Sequence, residues 1–251
     1  MACIPAFAAS TIFGTDDRVR VGDATASPYQ AVCRLVITYQ NGETGHGTGF
    51  LYAPNLVATA AHCLYDTAQQ RGGQVKQVEI LPALDGEQMP YGSVVADGSN
   101  SRLHYSAQWQ ENMDWRYDYG VIELDEPLNP EIQPLKLARP SDRSLYAMKI
   151  SVVGYGSDET YMTMSSGRVA WAREYDLLYE IDVEHGQSGG PVINQYGYVV
   201  GITNYGAEEG LSYNSGARLQ GEAYAFLNGL LEKRVEMECP GQRYGEIREA
   251  I

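Results

Sequence analysis

A serine hydroxyl attacks a carbonyl efficiently only when a base takes its proton, a carboxylate orients that base and N–H donors hold the developing oxyanion. Three segments of this chain supply residues of those types. Gly186-Gln187-Ser188-Gly189-Gly190-Pro191 surrounds a serine with small residues that let the backbone turn sharply, and the Gly186 and Ser188 amides are the natural oxyanion donors. In Thr59-Ala60-Ala61-His62-Cys63 the small residues ahead of the histidine leave room for a packed wall, with the ring facing a cleft. Tyr117-Asp118-Tyr119-Gly120-Val121-Ile122-Glu123-Leu124 puts an acid at the mouth of an apolar strand, where a carboxylate is costly unless paired. Each segment alone reads as well as a turn serine, a satisfied structural histidine or a turn aspartate. Of the other histidines, His46 sits in a glycine-rich turn and His104 in a polar stretch, while His185 is too close to Ser188 along the chain to serve as its base. Asp114 competes with Asp118 but lacks the apolar run behind it. Taken together, His62, Asp118 and Ser188 could carry acyl transfer through a covalent intermediate.

The elements that must hold these residues are mostly strands. Residues 31–37 are rich in β-branched side chains and run into an Asn41-Gly42 turn. Further strands are predicted over 49–52, 56–59, 119–124, 149–153, 167–171, 177–181, 191–193 and 198–202. Many short strands separated by turn residues indicate a sandwich or barrel. The clearest helical pattern is Glu222 to Lys233, where Ala223, Phe226, Leu227, Leu230 and Leu231 share a face. Pro127, Pro130, Pro134 and Pro140 stiffen a connector between two groups of strands. The expected organisation is an N-terminal extension over 1–13, a β-barrel over 14–126 with His62 and Asp118, a connector over 127–140, a second β-barrel and helix over 141–235 with Ser188, and a tail over 236–251.

With 251 residues, 44% hydrophobic and 20% charged, the chain can bury a sizeable core. The net charge of −14, from 18 basic and 32 acidic side chains, repels phosphate backbones and makes nucleic acid a poor partner. No run approaches the roughly 18 apolar residues of a bilayer span, so no membrane partner is expected. Cys3, Cys33, Cys63 and Cys239 form no Cys-x-x-Cys pair, and neither a metal nor a cofactor is expected. Their even number suits two disulfides in an oxidising compartment, hence a secreted or periplasmic monomer. Three pairings are possible; joining Cys63 to Cys33 would anchor the histidine loop. Met1 to Ser10 reads as the stub of a signal peptide or a pro-segment.

The three catalytic segments together resemble the trypsin/chymotrypsin clan of serine peptidases, whose triad runs in the same chain order. Phe13-Gly14-Thr15-Asp16-Asp17-Arg18, Gly47-Thr48-Gly49-Phe50-Leu51 and Tyr179-Glu180-Ile181-Asp182 resemble more closely the bacterial branch that contains the glutamyl endopeptidases. The resemblance implies two six-stranded antiparallel barrels with the site between them. It implies His62 as general base and then acid, Asp118 as orienting carboxylate and Ser188 as nucleophile. Asn204-Tyr205-Gly206 would pair with the substrate backbone as an added strand. Protein or peptide substrates follow from it. Thr203 stands where glutamyl endopeptidases have a histidine, and Val183 where they have a threonine or serine. Asp182 matches the position that binds lysine or arginine in trypsins, so cleavage after basic residues is expected ahead of glutamate. Gln187 replaces the aspartate that trypsins pair with a new N-terminus, and trimming near Thr11 or Ile12 with Cys3 bonded to Cys239 would leave the pro-segment attached. The alternative function is a catalytically silent relative acting as a binding module, against which the intact triad and Gly186 argue. An α/β-hydrolase is disfavoured although residues 186–190 spell Gly-x-Ser-x-Gly, because Pro191-Val192-Ile193 continues as a strand.

Overall fold

The structure is a computed structural model and describes residues 11–68, 71–157, 159–207 and 212–238, with side chains through 233. It is mostly β. In the C-terminal half, Lys149–Gly154, Thr163–Ala172, Asp176–Tyr179, Asn214–Arg218, Tyr198–Tyr205 and Pro191–Asn194 pair antiparallel in that cyclic order and close a six-stranded barrel. In the N-terminal half, Val94–Ala96, Gln77–Pro82, Val32–Thr38, Thr44–Ala53, Leu56–Thr59, Gly120–Leu124 and Ser101–Tyr105 form a seven-stranded sheet in that order, a nearly closed second barrel. The strand through Leu35 and Ile37 is held to its neighbour by the predicted turn, where Gly42 takes φ +86° and donates its N–H to Tyr39 at 3.0 Å.

The connector laces the barrels together. Leu135 N donates to Leu51 O and Ala138 N to Val199 O, both at 2.8 Å, and Lys136–Leu137 runs parallel to Tyr198–Val199. The C-terminal helix, Gly221–Glu238, is longer than its apolar pattern indicated. Its Ala223 and Leu227 are buried, Phe226 packs against Tyr119 with the rings tilted and centroids 5.4 Å apart, and Leu227 O accepts from Tyr52 Oη at 3.3 Å. The helix therefore covers the N-terminal barrel, not the barrel that precedes it in sequence. Two short helices, Ala107–Asn112 and Asp142–Ala147, were not expected; each is started by a serine, Ser106 or Ser141, whose side chain caps an N–H three residues on.

Cys33 and Cys63 are both buried and both free, so the expected bridge between them does not exist. Cys63 Sγ lies over Gly47 and faces Ser188 O at 3.8 Å. Gly47 pairs with Leu35, two positions along the strand from Cys33, whose thiol faces Ala31 O at 3.6 Å. At about 3.3 Å per residue that offset puts the two sulfurs out of bonding reach. Cys3 and Cys239 lie outside the described residues.

Candidate active site

Leu56–Thr59 delivers the chain into a single 3-10 turn, Ala61–Cys63, which presents His62 at the end of the N-terminal barrel. Asp118 enters the neighbouring strand Gly120–Leu124, and Gly120 pairs with Thr59. The two side chains are thereby brought together across 56 residues of sequence: His62 Nδ1 lies 2.7 Å from Asp118 Oδ2, and His62 N donates to Asp118 Oδ1 at 2.9 Å. Asp118 is wholly buried. Burial alone would push the imidazole down, but the facing carboxylate outweighs it and holds His62 well above its ordinary value. Burial likewise acts to raise Asp118, and the imidazole outweighs it, leaving the carboxylate below its ordinary range. His104 and Asp114 are engaged elsewhere, His104 with Glu123 at 2.7 Å and Asp114 with Arg116.

Ser188 comes from the other barrel. Its carbonyl accepts Thr48 N at 2.8 Å, which docks it against the strand Thr44–Ala53 of the N-terminal barrel. Its Oγ donates to Asn204 O at 3.1 Å, while Asn204 Nδ2 donates to Asp118 O. Asn204, expected only as a substrate-pairing residue, thus ties Ser188 to the backbone of Asp118 across the interface between the barrels. In this resting arrangement the serine proton points to Asn204; catalytic hydrogen bonds commonly tighten only when substrate is bound. Two rings flank the imidazole, Trp109, which the sequence did not flag, and Tyr205, expected only as a substrate-pairing residue. Trp109 from the first short helix lies 6.4 Å from His62 between centroids, and Tyr205 lies 6.0 Å away. The Tyr205 hydroxyl is buried beside Asp118, and burial together with that carboxylate holds it well above the ordinary tyrosine value.

Around Ser188 the backbone amides divide into two sets. Gln187 N, Gly189 N and Gly190 N are committed to Glu184 O, Thr203 O and Gln187 O at 3.0, 2.7 and 2.9 Å. Gly186 N and Ser188 N donate to no acceptor among the described residues. Gly189 has φ +87°, and a Cβ there would stand 2.1 Å from Thr59 Oγ1 and 2.2 Å from Thr48 O, so only glycine fits. Thr48 is a buried hub that sequence reasoning missed: its hydroxyl donates to Gly186 O at 2.8 Å and accepts Tyr155 N at 3.0 Å. Among the described residues, no group of three or more His, Cys, Asp or Glu side chains is arranged to hold a metal ion.

Residues 47–202 match the family model for the trypsin-like peptidase domain. The chain belongs to the trypsin-like peptidase family. A glutamyl endopeptidase of Bacillus licheniformis is 32% identical over 228 residues, 87% of this chain and 68% of that protein. An extracellular metalloprotease of Bacillus subtilis is 33% identical over 223 residues, 86% of this chain and 68% of that protein. A solved structure of a Glu endopeptidase in complex with MPD superposes with a TM-score of 0.77 at 23% identity, covering 88% of this chain and 99% of that one. The protein is thus a serine protease of the chymotrypsin/trypsin-like fold, on the glutamyl endopeptidase side of the clan.

In this trypsin-like peptidase the residues expected to line the specificity pocket have other commitments. Asp182, 3% exposed, accepts Phe13 N at 2.7 Å on one oxygen and Asp17 N at 2.8 Å on the other. A carboxylate so engaged anchors the N-terminal segment and is not presented to a substrate cation. Val183 pairs with Thr11 through N–H···O bonds of 3.0 and 3.3 Å. Thr11 O also accepts Asn214 Nδ2 at 2.9 Å, and its hydroxyl accepts Ala207 N at 3.0 Å. The Gln187 side chain is fully buried and satisfied by Glu184 N and Thr163 Oγ1 at 2.8 and 3.2 Å. Thr203 is wholly buried, its side chain beside the Tyr179 hydroxyl. Gly206 is buried just beyond the end of the strand Tyr198–Tyr205.

Proposed function

We propose that this protein is a secreted serine endopeptidase that cleaves after glutamate, with Ser188, His62 and Asp118 as its triad. The observation that carries the reading is the 2.7 Å approach of His62 Nδ1 to the sealed Asp118 carboxylate, with Asn204 joining that carboxylate's residue to Ser188. Asp118 holds the imidazole with Nδ1 protonated, leaving Nε2 to receive the serine proton. Ser188 Oγ attacks the scissile carbonyl as its proton passes to His62. The uncommitted amides of Gly186 and Ser188 stabilise the oxyanion. His62 then protonates the leaving amine, and a water deprotonated by His62 releases the acyl group from Ser188. Asn204-Tyr205-Gly206 aligns the substrate backbone.

The glutamate preference is supported by the names of the similar bacterial peptidases and by the engagement of Asp182, which removes the charge a basic side chain would need. A glutamate pocket needs a cation or several donors, and Val183 and Thr203 bring no charge. Cleavage ahead of Thr11 would release an α-ammonium group beside Val183, so trimming of residues 1–10 belongs to this reading and the longer chain is its zymogen. Secretion is supported by the extracellular relative; among the described residues no helix is long and apolar enough to cross a membrane.

The test is a digest of a denatured protein mixture with every new terminus mapped by mass spectrometry and Ser188→Ala run in parallel. Cuts after glutamate by the wild type alone are the expected result. Equal cutting by Ser188→Ala would sink the triad assignment, and cuts after lysine or arginine would sink the specificity.

A further inference from the structure

Two arginines are buried among the described residues, Arg34 and Arg218. Arg218 places its guanidinium on Asp142. Arg34, 7% exposed, faces no carboxylate among the described residues; its donors go to backbone carbonyls, Nη1 reaching Glu159 O at 2.6 Å and Gly156 O at 3.4 Å. A buried cation is costly without a counter-charge, so its bonds must secure something specific.

Those carbonyls belong to the loop that backs the oxyanion glycine. Gly186 has φ +92°, and a Cβ on it would stand 2.7 Å from Tyr155 O and 2.8 Å from Ser157 N. Ser157 N also donates to His185 O at 2.5 Å. The position of the Gly186 peptide is therefore set by residues 155–157, which are tied to a loop of the N-terminal half by Tyr155 Oη on Leu84 O at 3.1 Å and have two further ties to strands of the N-terminal barrel. One is the Thr48 hydroxyl on Tyr155 N. The other is Arg34. Arg34 and Thr48 are direct cross-strand partners, so both ties rise from one point of the sheet and from the same face.

We propose that Arg34 is a positioning residue for the oxyanion hole: by gripping the carbonyls of Gly156 and Glu159 it fixes the loop that aims the Gly186 amide. It touches no substrate and acts on the tetrahedral state more than on the bound ground state. The proposal rests on Ser188 and Gly186 having the roles given above.

The experiment compares wild type, Arg34→Met, Arg34→Lys and Ser188→Ala on a peptide substrate and with a peptidyl aldehyde carrying the same side chains, which forms the tetrahedral adduct. Rates are taken per folded molecule, measured by near-ultraviolet circular dichroism. Deleting an oxyanion donor costs about 10²–10³ in kcat, and Arg34→Met displaces one without deleting it, so a loss of about 10–10² is expected. KM stays unchanged, the aldehyde weakens by the same factor as kcat, and Arg34→Lys, which keeps a donor for Glu159 O, recovers most of the loss. Unchanged kcat in Arg34→Met, a loss confined to KM, or aldehyde affinity that does not follow kcat would each overturn the proposal. If Arg34→Met does not fold, Arg34→Gln, which stays polar but is too short to hold both carbonyls, decides: a loss shared equally by kcat and aldehyde affinity supports the proposal, and wild-type values for both reject it. Wild-type turnover by Ser188→Ala would strike the triad itself and not the role of Arg34.

Discussion

Replacing Asp182 with alanine separates two accounts of that residue. In the trypsin-like account its carboxylate is a substrate ligand, and its loss should abolish cutting after lysine and arginine with little effect on the fold. In the observed structure it accepts Phe13 N and Asp17 N at 2.7 and 2.8 Å. Hydrogen bonds to a charged group contribute about 1.5–3 kcal/mol each, so the pair is worth about 3–6 kcal/mol. Both donors are only part-buried, and exposed N–H groups can turn to water, which favours the lower end, about 3 kcal/mol. That is a large fraction of the roughly 5–15 kcal/mol that holds a domain together. The loss has a ceiling. Residues 11–17 are also held by the Thr11–Val183 bridge and by Ser165 Oγ on Asp17 Oδ1 at 2.5 Å, and if these together are weaker than the loss the segment lifts away before the barrel unfolds. Urea unfolding with amide exchange at Phe13 and Asp17 distinguishes the two cases: exchange at those amides should accelerate about 100-fold for a 3 kcal/mol loss even where the global midpoint moves less. Protected amides and an unmoved midpoint, together with selective loss of cuts after lysine and arginine, would refute the reasoning.

Asp118→Asn should lower kcat by about 10⁴, because the amide favours the wrong imidazole tautomer. The wild-type rising limb of kcat/KM should lie above 6.5, the ordinary histidine value, because Asp118 holds His62 raised; with the charge gone, burial prevails and the limb should move to lower pH. The stability signs follow from the same shifts. The raised His62 stabilises below its unfolded value of 6.5 and loses that contribution as pH rises through the folded value, while the lowered Asp118 stabilises above 3.8 and loses it as pH falls through its own. The stability gap between wild type and Asp118→Asn in chemical denaturation should therefore be widest between those two values. Thr48→Val removes the hydroxyl shared by Gly186 O and Tyr155 N, and should cost about 1–3 kcal/mol in urea unfolding as well as lowering kcat. Cys33 and Cys63 should both resist iodoacetamide in the folded protein and both be alkylated after denaturation without reductant; peptide mapping that finds them unmodified would restore the disulfide.

What was legible in the sequence is what short segments dictate. The glycines about Ser188, the small residues ahead of His62 and the acid opening an apolar strand each state a local requirement, and the two-barrel fold satisfies all three. The alternation of Val78 and Ile80 in Gln77–Pro82 was equally available, and the strand went unread because Gln77 and Glu79 between them dilute its apolar character. The two short helices depended on single capping serines, a signal too brief to weigh without its tertiary setting. Asp182 shows the limit more sharply. Its position relative to Ser188 suggested a substrate ligand, but its partners lie 169 and 165 residues away at the start of the chain, and no spacing near Asp182 announces them.

Asn204 and Arg34 follow the same rule from the other side. Asn204 was expected to pair with substrate and Arg34 looked like an ordinary strand residue, yet each has its structural place because two barrels meet: Asn204 O and Nδ2 reach Ser188 and Asp118, and Arg34 reaches the carbonyls behind Gly186. The proposed catalytic groups themselves can be recognised one barrel at a time. The residues that hold them in register belong to the interface, so they become visible only once the chain is folded, and variants at these positions should alter kcat without removing any group of the triad.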